Sequence, residues 1–194
     1  DDAVIYEGAF ANAVELDALL ARATSAQRGW AATPLAERIQ LVLRFLDTVE
    51  GIREEAAEEL SAQMGRPRTQ TPGELGGFLD RGRTMARLAE EALADYVPPP
   101  KDGFTRAIQR VPVGVVLVLA PWNYPWLTAV NAVVPALLAG NAVLLKHAEQ
   151  TPLVAGAMFA LTAQAGFPDG VVNLVYASEG DAVGRELCFN RKVR

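Results

Sequence analysis

The chain has 194 residues, of which 51% are apolar and 21% are charged, and its net charge is −5. This balance predicts a globular chain with one substantial core, without the basic surface that nucleic acids require. One cysteine excludes an internal disulfide. Because a lone thiol suits a reducing compartment and the acidic N-terminus lacks a signal-peptide pattern, we expect a cytoplasmic protein.

Amphipathic helices are predicted over residues 12–95, where apolar side chains recur at helical spacing. Asn12 and Glu15 have the spacing of a capping box, and Gly65 ends the third predicted helix. The sequence Thr-Pro-Gly-Glu at 71–74 repeats a capping pattern ahead of the fourth helix. We interpret all of these helices as packing elements.

Residues 96–110 form two short extended pieces around Lys101-Asp102-Gly103. An Asp-Gly pair between extended pieces predicts a β-hairpin. Because a hairpin that leaves a domain has unpaired edges, it invites a partner subunit.

No charged side chain lies between Arg110 and Lys146. The apolar run Val113 to Ala120 predicts a strand that is buried on both faces, followed by a Pro-Trp-Asn-Tyr-Pro loop at 121–125. A helix over 126–139 and a strand over 142–145 complete a βαβ unit. A membrane span is the alternative for so long an uncharged stretch, but four prolines and three asparagines interrupt it.

Further βα units follow Lys146. We predict a helix from Pro152 to Gly166, a strand over 171–176 and a short helix over 180–187, and a fourth strand at the end of the chain. The predicted class is therefore α/β, with N-terminal helices before the first units of a parallel sheet.

Ligands of open α/β sheets bind at the carboxyl ends of the strands, which here are 121–125, 146–151 and 176–180. Asn123 lies between two prolines that restrict the backbone, so its amide could stabilise a developing oxyanion. The alternative is a loop-stabilising asparagine bonded to its own backbone. The glycine-rich phosphate loop that often follows a first strand is absent from the sequence.

Lys146 and Glu149 follow the second strand, where they could bond ribose or phosphate oxygens, or form only an exposed ion pair. We interpret His147, the only histidine, as a core or rim residue and Cys188 as a packing residue that faces away from Asn123. We expect no metal site.

Several segments together resemble the aldehyde dehydrogenase superfamily over almost the whole chain. They are Val111 to Val116, the loop 121–125, Pro135 to Asn141, Leu145-Lys146, Glu149 to Pro152 and Ala165 to Asn173, with Trp30, Glu37-Arg38 and Gly65-Arg66-Pro67 among the helices. The resemblance implies a Rossmann-like NAD(P)-binding domain. It also implies oxidation of an aldehyde through a cysteine thiohemiacetal, with hydride transfer to nicotinamide.

The resemblance also implies roles for single residues. Asn123 matches the oxyanion-hole asparagine, and Lys146 and Glu149 match the contacts to the adenosine ribose. Because a carboxylate near the ribose repels an extra phosphate, Glu149 favours NAD, with NADP possible. The implied cofactor cleft is lined by Leu119, Ala120, Pro121 and Trp122.

The implied organisation has three parts. Residues 1–95 are helices of the cofactor-binding domain, 96–110 an oligomerisation hairpin, and 111–194 the first part of the Rossmann-like domain. The family's Phe-Thr-Gly-Ser segment, general-base glutamate and nucleophilic cysteine have no match here, so the chain resembles an N-terminal portion that is inactive alone. One alternative is a non-catalytic nucleotide-binding or interaction module. Another is an acyl-phosphate reductase of the same architecture, but the residues Trp122 to Pro125 argue against it.

Overall fold

A computed structural model describes residues 4–178 and 182–193 of the chain. The described part contains α-helices and three parallel strands, which confirms the predicted α/β class. The helices are α1 Ala13–Ala32, α2 Leu35–Gly51, α3 Arg53–Met64, α4 Thr71–Leu93, α5 Pro125–Leu138, α6 Pro152–Gln164 and α7 Ala182–Phe189. The strands are β1 Val115–Ala120, β2 Ala142–His147 and β3 Val172–Leu174.

The sheet has the order β1-β2-β3, with Val115 opposite Ala142 and Val143 opposite Val172. Val193 forms a further parallel bridge to Val115, on the edge of β1 that β2 leaves open. This bridge places the chain on the side of β1 opposite β2, which is where doubly wound sheets continue. At the position of the predicted fourth strand, the described residues contain this single bridge and no strand.

Alternate strand residues face two separate cores, as expected for a sheet between helical layers. On one face, Val118, Val143 and Leu145 pack in the larger core with helices α2 to α6. On the other face, Val115 and Leu144 pack with residues of α1 and α7. Every residue of β2 is buried, including Lys146 and His147, which extend the strand two residues beyond the predicted 142–145.

The predicted helix ends are largely confirmed. The Asn12 side chain accepts from the backbone N–H of Glu15 at 3.0 Å, and the Glu15 carboxylate accepts from the N–H of Asn12 at 2.9 Å, which completes the capping box. Gly65 ends α3 with a φ of +71°. Helix α7 covers most of the predicted 180–187 helix, whose first residues lie outside the described part of the chain.

The predicted hairpin is present. Tyr96 and Ile108 exchange backbone hydrogen bonds of 3.0 and 2.8 Å, and Lys101 pairs with Phe104 around the tip. Gly103 at the tip has a φ of +76°, a conformation that most side chains disfavour. The hairpin exposes four large apolar side chains, namely Tyr96, Val97, Phe104 and Ile108.

Asn141 joins α5 to the start of β1. Its side-chain oxygen accepts from the backbone N–H groups of Val113 at 2.7 Å and Gly114 at 3.0 Å, and its amide donates to the carbonyl of Ala136 at 3.1 Å. This buried asparagine fixes where β1 enters the sheet and so where its carboxyl end lies. Within the described ranges, no helix is both long enough and apolar enough to span a membrane.

Candidate functional site

A cavity of about 790 Å³ lies at the carboxyl ends of β1 and β2 and is bounded by α7. Five of the residues predicted to bind a cofactor line it: Leu119, Ala120, Pro121, Trp122 and Lys146. Its other lining residues are Ala148, Ser178, Gly184, Arg185, Leu187, Cys188 and Phe189. The structure therefore brings together residues from two strand ends, at the place where the sheet changes direction.

The charge of this cavity is positive. Lys146 and Arg185 line it, and its described lining contains no carboxylate. Lys146 is 8% exposed, so the alternative of a fully exposed ion pair is wrong for this residue. Among the described residues, no hydrogen bond or ion pair engages its ammonium group. Because Lys146 and Arg185 give the lining a positive charge, the cavity suits an anionic, hydroxyl-rich molecule.

Asn123 does not line this cavity, but it directly follows the lining residue Trp122, in the loop between β1 and α5, and it is exposed. Its backbone carbonyl accepts a hydrogen bond from Arg66. In residues 4–178 and 182–193, no protein group bonds to its side-chain amide. An asparagine that stabilises its own loop would bond its side chain to nearby backbone groups, and no such bond is found among the described residues. An oxyanion donor instead needs an N–H group without a protein partner, which agrees with this arrangement.

Glu74 holds the other end of this loop, a role that the sequence analysis missed. Its Oε1 atom accepts from the N–H groups of Trp126 at 2.9 Å and Leu127 at 3.2 Å, at the start of α5. Its Oε2 atom accepts from Arg66. The capping role predicted for Glu74 in its own helix is therefore wrong, because the first turn of α5 offers two N–H groups and a helix dipole. Its place on the apolar stripe of α4, beside Leu75 and Phe78, is the signal that could have revealed it.

Glu149 lies apart from the other predicted cofactor residues. It is exposed and lines a second cavity of about 350 Å³, together with His147, Tyr176 and the N-terminal segment from Tyr6 to Phe10. Lys146 and Glu149 therefore do not line the same cavity, although both follow the end of β2.

His147 is buried, as predicted, and neither ring nitrogen has a hydrogen-bond partner among the described residues. Burial, and then the neighbouring charge of Lys146, lower its pKa from 6.5 to about 3. The imidazole is therefore neutral at physiological pH. It cannot act there as a cationic group.

Cys188 contradicts its predicted role. It is exposed and lines the larger cavity with Trp122, so it neither packs in a core nor faces away from the loop that carries Asn123. The physical reason is the direction of α7, which folds back over the carboxyl ends of the strands. Sequence periodicity carries no information on that direction.

The fold and the cavity together define a doubly wound, Rossmann-like α/β protein with a ligand cavity where the sheet changes direction. A profile of the aldehyde dehydrogenase family matches residues 1–194. The chain belongs to the aldehyde dehydrogenase family, as the sequence motifs indicated.

Individual relatives agree with this assignment. The chain is 41% identical over 182 residues to a probable succinate-semialdehyde dehydrogenase [NADP(+)] of Sinorhizobium fredii, covering 94% of this chain and 37% of that protein. It is 36% identical over 181 residues to a benzaldehyde dehydrogenase [NAD(+)] of Pseudomonas putida, covering 93% of this chain and 37% of that protein.

Solved structures agree as well. A putative aldehyde dehydrogenase from Burkholderia cenocepacia superposes with a TM-score of 0.93 at 36% identity, covering 100% of this chain and 39% of that one. The chain thus spans between a third and two fifths of the length of these relatives.

Proposed function

We propose that the chain forms the N-terminal, cofactor-binding portion of an NAD(P)-dependent aldehyde dehydrogenase, which oxidises an aldehyde to a carboxylic acid. The main support is the family match over residues 1–194, combined with a cavity that five of the predicted cofactor residues line. In this proposal the nucleophilic cysteine and the general base come from a part of the protein outside these residues. Cys188 does not match the motif of the nucleophile.

The residues present fit an anionic dinucleotide. The ammonium group of Lys146, which lines the cavity, would bond a ribose or phosphate oxygen, and Arg185 adds a second positive charge to the lining. Leu119 and Trp122 supply apolar surface that keeps water away from the bound molecule. When bound, the cofactor supplies the hydride acceptor of the reaction.

Asn123 would act on the substrate side. When a thiolate attacks the aldehyde carbon, negative charge develops on the carbonyl oxygen, and an amide N–H donor at that point stabilises it. The side-chain amide of Asn123 has no competing protein acceptor among the described residues, so it is available for this contact. Its loop is held from both sides by Arg66 and Glu74, which keeps the donor in a fixed place.

We also propose that residues 1–95 and 111–194 belong to the cofactor-binding domain and that residues 96–110 form contacts between subunits of a homo-oligomer. The four exposed apolar side chains of the hairpin support the second point. A cytoplasmic location is part of the same proposal.

The proposal is tested by expressing the whole reading frame that encodes this chain and confirming the product by mass. Reduction of NAD and of NADP is then followed with succinate semialdehyde and benzaldehyde, which the names of the relatives suggest as probes. Aldehyde-dependent reduction of either cofactor supports the proposal. Tight nucleotide binding without turnover of any aldehyde would instead favour the non-catalytic module.

A further inference from the structure

Arg66 lies in the segment between α3 and α4, far along the sequence from the loop that carries Asn123. Its side chain is 11% exposed, and its guanidinium makes contacts with three groups. One terminal nitrogen, Nη1, donates to the Glu74 carboxylate, and the other, Nη2, donates to the backbone carbonyl of Asn123. The guanidinium carbon also lies 4.2 Å from the ring centre of Tyr124.

Glu74 provides the fixed point of this arrangement. Its side chain is 1% exposed, and its second oxygen accepts from the N–H groups of Trp126 and Leu127. Arg66 therefore holds the loop at Asn123 and Tyr124, while Glu74 holds it directly after Pro125. The two side chains bond to each other as well, so the loop is attached to one buried ion pair.

We propose that Arg66 is a positioning residue for Asn123: it touches no substrate, but it sets where the Asn123 amide points. The expected effect on kcat rests on the proposed function, whereas the contacts of Arg66 with Glu74, Asn123 and Tyr124 do not depend on it. An arginine suits the position because its planar fork satisfies two acceptors in fixed directions while its face stacks on an aromatic ring. A lysine keeps the charge but cannot make all three contacts.

The expected kinetic effect follows from geometry. A displacement of about 1 Å at a reacting group costs up to ~10²-fold in rate. In the full-length enzyme, Arg66→Lys should therefore lower kcat by about 10- to 100-fold and leave the KM for the cofactor near its original value, because Lys146 is untouched. A purely structural role of Arg66 would reduce the amount of folded enzyme without this separation of kcat from KM.

Arg68→Lys is the matched control. Arg68 lies two positions away, its side chain is 68% exposed, and it pairs with the exposed Glu58. This variant makes the same chemical change in the same segment without touching the loop, so kcat and KM should both stay unchanged.

A second readout uses the 194-residue chain and needs no activity. Of the three tryptophans, Trp30 and Trp126 are at most 1% exposed, whereas Trp122 is 50% exposed and directly precedes Asn123. Acrylamide therefore reports mainly on Trp122, and time-resolved anisotropy reports its local motion. Arg66→Lys should make Trp122 more mobile and more readily quenched, and Arg68→Lys should not.

Tyr124→Leu is the second variant, to be used if Arg66→Lys does not fold. It removes only the stacking contact, so it should have the same effects on Trp122 more weakly.

Lower kcat, unchanged cofactor KM and a more mobile Trp122 in Arg66→Lys would support the inference. An Arg66→Lys enzyme with the original kcat, or an unchanged Trp122 in both Arg66→Lys and Tyr124→Leu, would overturn it. The failure of the proposed function looks different. In that case the unsubstituted full-length protein oxidises no aldehyde, and the Trp122 measurements still decide whether Arg66 holds the loop.

Discussion

Lys146 and His147 are neighbours in the sequence but face different environments, because successive strand residues point to opposite faces of the sheet. Lys146 lines the larger, positively charged cavity, and His147 lines the smaller one beneath the N-terminal segment. Both are buried at the carboxyl end of β2. This end of the strand therefore carries one cation that lines a cavity and one neutral ring.

His147 should make stability depend on pH. Its pKa in the folded state, about 3, lies below the unfolded value of 6.5, so protons bind the unfolded chain more readily. Stability is therefore complete above the unfolded pKa and is lost as the pH falls from 6.5 towards 3. From about pH 7 to about pH 5, the loss from this residue should be about 2 kcal/mol.

The loss is measured as the difference in the free energy of urea unfolding between about pH 7 and about pH 5. The comparison is His147→Gln, because glutamine does not titrate. The variant should lose about 2 kcal/mol less than the original chain over the same interval. Equal losses in the two proteins would show that His147 titrates normally in the folded state.

Glu149 should influence the choice of cofactor. Glu149 lines the smaller cavity, but the resemblance to aldehyde dehydrogenases implies that its carboxylate contacts the ribose. Because a carboxylate there would repel the extra phosphate of NADP, Glu149→Gln in the full-length enzyme is expected to narrow a preference for NAD. The ratio of kcat/KM values for NAD and NADP measures this effect. Glu7→Gln is the control, because Glu7 lines the same small cavity. A natural enzyme that already prefers NADP would show that Glu149 does not select the cofactor.

At the scale of elements, the helices, the hairpin and the first two strands follow from local sequence patterns. The capping box at Asn12, the turn at Gly103 and the uncharged run before Lys146 each act over a few residues. The contacts that hold the loop at 121–125 could not be predicted from local patterns, because Glu74 and Trp126 are 52 positions apart in the chain. A capping pattern shows which residues can cap a helix, but only the tertiary structure decides which helix receives the cap.

Glu74 should accordingly be critical to stability. Glu74→Ala leaves the largely buried Arg66 without its partner and exposes two N–H groups of α5 to an empty site, so it should cost about 3 kcal/mol or more. Glu58→Ala breaks the exposed pair with Arg68 and should cost less than about 1 kcal/mol. Urea unfolding of both variants measures the difference. A Glu74→Ala chain no less stable than Glu58→Ala would refute the structural role assigned to Glu74.

At the scale of the whole molecule, the parallel sheet was predictable because doubly buried strands have uninterrupted apolar sequences. The bridge from Val193 to Val115 lies on the side of β1 opposite β2. What could not be predicted was the path of α7, which brings Cys188 to the cavity. That path depends on packing against both strand ends and not on the pattern within the helix.

Residues 1–194 alone should oxidise no aldehyde, even though Cys188 lines the cavity. A thiol nucleophile needs an activating base or a depressed pKa, and the only histidine, His147, lines the other cavity. A mass-verified preparation of this chain, assayed for NAD reduction with several aldehydes, should show no turnover. Turnover that disappears in Cys188→Ala would make Cys188 the nucleophile and contradict this expectation.

The central claim is that this chain contributes both a cofactor contact and an oxyanion donor to one aldehyde dehydrogenase. Steady-state kinetics of aldehyde-dependent NAD(P) reduction by the full-length enzyme tests it most directly, with Asn123→Ala and Lys146→Met measured side by side. Asn123→Ala should lower kcat by ~10²–10³-fold and leave the KM for the cofactor unchanged. Lys146→Met should raise the KM for the cofactor about 10-fold or more, since a hydrogen bond to a charged group is lost. Near-normal kcat in Asn123→Ala together with an unchanged cofactor KM in Lys146→Met would contradict the account.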